Sequence, residues 1–166
     1  MQKYHNEHKQ SVKDQLLDLI LNNDPSFFEH LVLKLLLALG YGYGTDAGKV
    51  VGASHDGGID GIINEDKLGL DKIYIQAKRY VPTNHVGRKD IQAFSGAMKK
   101  VTKGVFITTS SFTKEAKREV QEQMGKQIAL IDGAMLTELM LHYGIGIRSV
   151  QTFETYEIDA DFFEIE

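Results

Sequence analysis

The stretch GGIDGIINEDKLGLDKIYIQAK, Gly57–Lys78, decides the fold. Ile59–Asn64 alternates between apolar and polar positions and reads as a strand. Lys72–Lys78 reads as a second, with Ile73 and Ile75 toward one face and Tyr74, Gln76 and Lys78 toward the other. Between them Glu65–Asp71 is a polar turn containing Gly69. Residues paired in a hairpin have numbers with a constant sum. With the turn centred near Leu68, Asp60 lies opposite Gln76, and the period of two puts Lys78 on the same face as Gln76. An aspartate, an amide and an ammonium then converge at the mouth of one hairpin. A slip of one residue would reverse the faces, so the turn centre carries the inference.

Upstream, Ser11–Leu21 spaces Val12, Leu16, Leu19 and Ile20 as a helix does. Asp24-Pro25-Ser26 is a helix-start signal opening FFEHLVLKLLLAL, which ends at Gly40. This helix is apolar on most sides and is expected to be well buried, with Glu29 in its first turn. Tyr41–Ala47 reads as a glycine-rich loop, Lys49–Ser54 as a short strand and His55–Gly58 as a turn. Downstream of Pro82 and Gly87, Arg88–Lys100 reads as a helix with Ile91, Phe94, Ala97, Met98 and Val101 inward. An apolar strand at Gly104–Thr109 follows, then a charged helix at Thr113–Met124 that Thr113 can cap. A strand at Gln127–Ile131 and a helix at Gly133–Tyr143 complete the pattern. Helices, three strands and then alternating helix and strand indicate an α/β sandwich around a mixed sheet.

The 166 residues fit one domain, and 42% hydrophobic residues suffice for a full core. There is no cysteine, which excludes disulfides, thiolate zinc sites and thiol nucleophiles and fits a cytoplasmic location. The longest apolar run, Leu31–Leu39, is too short for a membrane span and is broken by Lys34. The net charge is −4, yet residues 71–126 hold 12 Lys and Arg against 5 Asp and Glu. A polyanion can bind that basic segment while the acidic parts face elsewhere; segregated surface charge is the plainer account.

The three hairpin residues suit phosphodiester hydrolysis. Asp60 offers an anionic oxygen to a hard divalent cation, and Mg²⁺ accepts oxygen ligands while keeping several waters. Lys78 can orient a water or stabilise charge developing on the phosphate. Gln76 offers an amide oxygen or a donor, and the backbone carbonyl of Ala77 is a further candidate metal ligand. Arg79, Arg88 and Lys89 are candidate DNA phosphate contacts, and Gln92 is placed to point at the cleft. The competing account makes Asp60 a turn former and Lys78 a solvated strand-end lysine. His55 and Asp56 are read as turn residues, and the remaining histidines show no metal-ligand spacing. Thr108, Thr109 and Ser110 can donate to phosphate or merely end a strand.

GGIDG (Gly57–Gly61) and IQAK (Ile75–Lys78) resemble the active-site motif of the Mrr-type catalytic domain, in the PD-(D/E)XK nuclease superfamily. There glutamine replaces the usual second acid, giving D…QxK. FEHLVLKLLLALGYG, GGIDGIINEDKLGLD, IYIQAKRY, IQAFSGAMKK and GVFITTSSFT extend the resemblance from about Pro25 to Ile147. The resemblance implies a restriction-endonuclease-like αβββαβ core, with a mixed central sheet flanked by helices. It implies cleavage of double-stranded DNA with Mg²⁺, Mn²⁺ being the alternative. It also implies that Glu29 reaches the metal directly or through water, beside Asp60. Full-length proteins of this kind resemble a winged-helix recognition domain followed by this nuclease domain, as in type IV restriction enzymes directed at methylated DNA. The chain is therefore expected to be a carboxy-terminal part. Residues 1–24 would be an N-terminal helix or a remnant of an interdomain linker, 25–150 the catalytic domain and 151–166 an acidic tail. Cutting both strands needs two sites or two events, so a homodimer is expected. The alternatives are a structure-selective nuclease, such as a junction resolvase, and a non-catalytic DNA-binding module.

Overall fold

The computed structural model describes residues 2–42, 53–54, 58–150, 152, 154 and 156–164. The expected strand at 49–54 is described only at its end, and the expected turn at 55–57 and most of the loop after Tyr41 lie outside the described residues. In chain order the elements are α1 (Gln2–Asn22), α2 (Pro25–Ala38), β1 (Ala53–Ser54), β2 (Gly58–Asn64), β3 (Lys72–Lys78), α3 (Arg88–Met98), β4 (Lys103–Thr108), α4 (Lys114–Glu122), β5 (Gln127–Ile131) and α5 (Gly133–Tyr143). A short 3₁₀ turn follows at Ala160–Phe163. The strands form one sheet in the order β1-β2-β3-β4-β5. The first two pairings are antiparallel and the last two parallel, which makes the sheet mixed.

The alternation of β3 divides the molecule. Ile73, Ile75 and Ala77 join Ile59, Ile63, Val105, Ile107 and Ile131 in a core covered by α1, α2 and α5. Tyr74 and Phe106 face the other way, into a second core under α3 and α4 built on Ile91, Phe94, Met98 and Ala116. Each β–α–β connection thus lays its helix on that second face, as parallel strands require a covering crossover. Three aromatic contacts run across it: Tyr74–Phe94 and Phe94–Phe106 at 5.3 Å between ring centroids, and Phe106–Phe112 at 5.6 Å.

The caps are local and legible. Asp24 accepts from Ser26 N at 3.0 Å and puts Pro25 in the first turn, where a missing N–H costs nothing. Thr113 accepts from Ala116 N at 3.1 Å, and Asp132 from Met135 N at 2.9 Å. Gly133 then has to be glycine: a Cβ there would lie 2.3 Å from the carbonyl oxygen of Thr109.

Three expectations change. First, α1 extends back to Gln2, ahead of the expected start at Ser11. Its added turns are exposed and carry i,i+4 pairs such as Lys3–Glu7, so they leave no apolar period to read. Second, α2 is buried on one side only; Phe28, Leu31, Val32, Leu35 and Leu36 face the core while Phe27 and Leu37 are exposed. Third, Ala97 of α3 points outward and Ser95 inward, because Ser95 joins a polar contact with α4.

Candidate active site

The turn between β2 and β3 is held by one side chain. Asp66 Oδ1 accepts from Leu68 N at 2.8 Å and Leu70 N at 3.3 Å, and its Oδ2 from Asp71 N at 2.6 Å. Gly69 adopts φ 69°, the left-handed conformation that glycine enters without a Cβ clash. The three backbone N–H groups, that of Asp71 foremost, hold the Asp66 carboxyl below the usual carboxylate range. The turn fixes the register: Ile59 faces Ala77, Asp60 faces Gln76, Gly61 faces Ile75 and Asn64 faces Lys72. This is the pairing expected from a turn centred at Leu68.

Asp60, Gln76 and Lys78 therefore share the face that carries Tyr74 and Phe106. The helices α3 and α4 do not close over β2, so Asp60 is exposed, as is Ile62. Gln76 and Lys78 are half-buried, and neither side chain has a partner among the described residues. Asp60 has one: it accepts a hydrogen bond from the Tyr74 hydroxyl at Oδ1. Burial first, and then this carboxylate, hold the Tyr74 hydroxyl far above the ordinary phenol range. Sequence reading placed Tyr74 on this face but gave it no role. The available signal was positional, since a long aromatic side chain reaches the diagonal neighbour across an antiparallel pair.

The donor set fits a hard cation. It offers a carboxylate with one oxygen bonded to Tyr74, a neutral amide opposite it on β3, and a lysine two residues further along the same strand face. Among the described residues no group of three or more His, Cys, Asp or Glu could hold a metal. Mg²⁺ is commonly held by one or two carboxylates and keeps several waters. The Ala77 carbonyl runs in the plane of the sheet, between Ile59 and Ile107. Glu29 lies half-buried on α2, the helix covering the opposite face.

Other candidates are engaged elsewhere. The Arg79 Nη1 donates to the carbonyls of Asn23 at 2.7 Å, Leu21 at 3.2 Å and Ile20 at 3.5 Å, binding the end of α1. Arg88 Nε donates to Glu119 Oε2 at 2.6 Å, and Gln92 Nε2 to the same oxygen at 3.3 Å. Glu119 is buried, and Gln123 Nε2 also donates to it at 2.7 Å. This network joins α3 to α4. Thr109 Oγ1 donates to Tyr80 O at 2.6 Å and Ser110 Oγ to Pro82 O at 3.3 Å; both hydroxyls secure the segment after β3. Lys89 is exposed and has no side-chain partner among the described residues.

The Mrr catalytic-domain family, described as restriction endonuclease, matches residues 20–140. The type IV methyl-directed restriction enzyme EcoKMrr of Escherichia coli K12 is 44% identical over 160 residues, covering 95% of this chain and 51% of that enzyme. The chain thus spans about half the length of that curated relative. Among solved structures, the DNA modification-dependent restriction endonuclease AspBHI aligns with a TM-score of 0.62 at 23% identity, over 81% of this chain and 36% of that one. The MspJI restriction endonuclease, in complex with a 27-mer oligonucleotide, aligns at 0.58 and 22%, over 80% of this chain and 31% of its own. At such identities the two structures speak for the fold alone. On the family match over residues 20–140, the chain belongs to the Mrr-type restriction endonuclease catalytic domains.

Proposed function

We propose that this chain is a divalent-cation-dependent DNA endonuclease domain, with Asp60 and Gln76 as cation ligands and Lys78 as the residue that handles the attacking water and the phosphate charge. The reading rests on one observation: these three side chains share a face that α3 and α4 leave open, and Gln76 and Lys78 have no other partner among the described residues. A bound Mg²⁺, or Mn²⁺, supplies charge neutralisation at the scissile phosphate and a more acidic water. Asp60 carries the anionic oxygen. Gln76 adds a neutral one, so the site holds less negative charge than a two-carboxylate site and repels the phosphate less. Lys78, two residues on, keeps an ammonium within the same site, where it can hold a water by hydrogen bond and stabilise charge on the phosphate oxygens. The Ala77 carbonyl is a secondary ligand candidate; Glu29, on the helix over the opposite face, could join only by reaching around the edge of the sheet.

DNA approaches from the α3/α4 side in this reading. Lys89, Lys99 and Lys100 on or just beyond α3, and Lys114, Lys117 and Arg118 on α4, are exposed without side-chain partners among the described residues. Arg79 is tied to α1, and Arg88 and Gln92 to Glu119, so Lys89 is the strongest phosphate contact of the four expected from sequence. We further propose that the full-length protein acts as a type IV restriction enzyme on methylated DNA inside the cell, as a dimer where both strands are cut. Asp60→Ala and Lys78→Ala should each abolish Mg²⁺-dependent plasmid nicking while leaving the circular dichroism spectrum intact. A folded Asp60→Ala protein that nicks at the native rate would eliminate this site.

A further inference from the structure

We infer that Tyr74 is a positioning residue for Asp60: its hydroxyl holds one carboxylate oxygen so that the other is presented toward Gln76 and Lys78, where a divalent cation would sit. The inference rests on the nuclease reading above and adds a residue to it. Tyr74 donates to Oδ1 of Asp60, a bond between a buried phenol and an exposed carboxylate. A carboxylate has two oxygens and about four lone-pair directions, so one phenol leaves Oδ2 and part of Oδ1 open.

The tyrosine, rather than the aspartate, is the fixed partner. Its ring packs on Phe94 at 5.3 Å between centroids, and Phe94 on Phe106, in the core beneath α3. Strand β3 is flanked by β2 and β4, so its backbone is held on both sides. Among the described residues Asp60 is the one partner of the Tyr74 hydroxyl, and at 7% exposure its side chain has little access to water. Asp60, by contrast, stands exposed on a strand whose face α3 and α4 leave open. Without a fixed donor its carboxylate would sample several rotamers. Hydrogen bonds to a ligating carboxylate orient it, and their loss commonly weakens metal binding ten- to a hundredfold.

The test compares the unmodified chain with Tyr74→Phe and Asp60→Asn. Phenylalanine keeps the ring contacts and deletes only the hydroxyl. Mn²⁺ binding is followed by the electron paramagnetic resonance signal of the free ion, and nicking is followed across a Mg²⁺ titration. Tyr74→Phe should bind Mn²⁺ about tenfold more weakly. It should need correspondingly more Mg²⁺ for half-maximal nicking, and should approach the native rate at saturating Mg²⁺. A merely structural tyrosine would lower the maximal rate without moving the metal dependence. Native or tighter Mn²⁺ affinity in Tyr74→Phe overturns the inference. If Asp60→Asn binds Mn²⁺ as well as the unmodified chain does, the nuclease reading itself fails, and the inference with it. Should Tyr74→Phe not fold, the Tyr74 ring resonances of the unmodified chain decide. They should shift on saturation with Mg²⁺ and stay still in Asp60→Asn; no shift in the unmodified chain overturns the proposal.

Discussion

Glu119 shows how much one side chain can organise outside the chemistry. It is 6% exposed and takes three donors, from Arg88, Gln92 and Gln123. Removing a fully buried partner commonly costs about 3–5 kcal/mol because a charge is stranded. Here the Arg88 side chain is 58% exposed and can return to water, so the loss falls on hydrogen bonds. Glu119→Ala should therefore destabilise the domain by about 1–3 kcal/mol. Urea unfolding measures it; a midpoint at the native value would mean that water replaces the carboxylate without loss. The same network explains why Arg88 and Gln92 looked like DNA contacts in the sequence. A basic or amide side chain on a polar helix face carries no sign of a partner 27 or 31 residues away.

At the scale of the element, the β2–β3 hairpin sets the active face, and Asp66 sets the hairpin. Its folded pKa lies below the ordinary carboxylate value, so its contribution is present above that ordinary value and is lost as pH falls through the depressed one. Asp66→Ala should lower the thermal midpoint at pH 7, and the gap to the unmodified protein should close as pH falls through the depressed range. A gap independent of pH would assign the effect to packing instead. The hairpin was legible because a register is arithmetic: a polar turn between two alternating runs leaves one centre that puts Ile59, Ile63, Ile73 and Ile75 together on the apolar face. Helix α4 was legible through Thr113, whose side chain does what a cap does; Asp132 does the same for α5, a signal the sequence reading did not use. The first half of α1 was not, since a fully exposed helix needs no apolar stripe. Tyr74 was placed on its face but not in its role, because the bond to Asp60 follows from how deeply α3 buries the ring.

For the whole molecule, the division of labour follows from the two faces of the sheet. The face near β2 that α3 and α4 leave open carries a carboxylate, an amide and a lysine, and α3 and α4 carry exposed cations of their own. In the proposed reading those groups address phosphate and metal, which carry no direct base information. Reading a methyl group needs a shaped apolar contact, usually in the major groove. We therefore expect this chain to bind and cleave matched methylated and unmethylated duplexes equally at one salt concentration. A clear preference for the methylated duplex would move recognition into this domain, with the segment between β3 and α3 the first place to look. The other face has its own consequence. Arg79 is the residue after Lys78, and its guanidinium clasps the last carbonyls of α1. In mechanical terms the clasp ties the end of α1 to the residue that follows Lys78. Anything that displaces the end of α1 therefore pulls first on the end of β3, from the side of the sheet away from the open face.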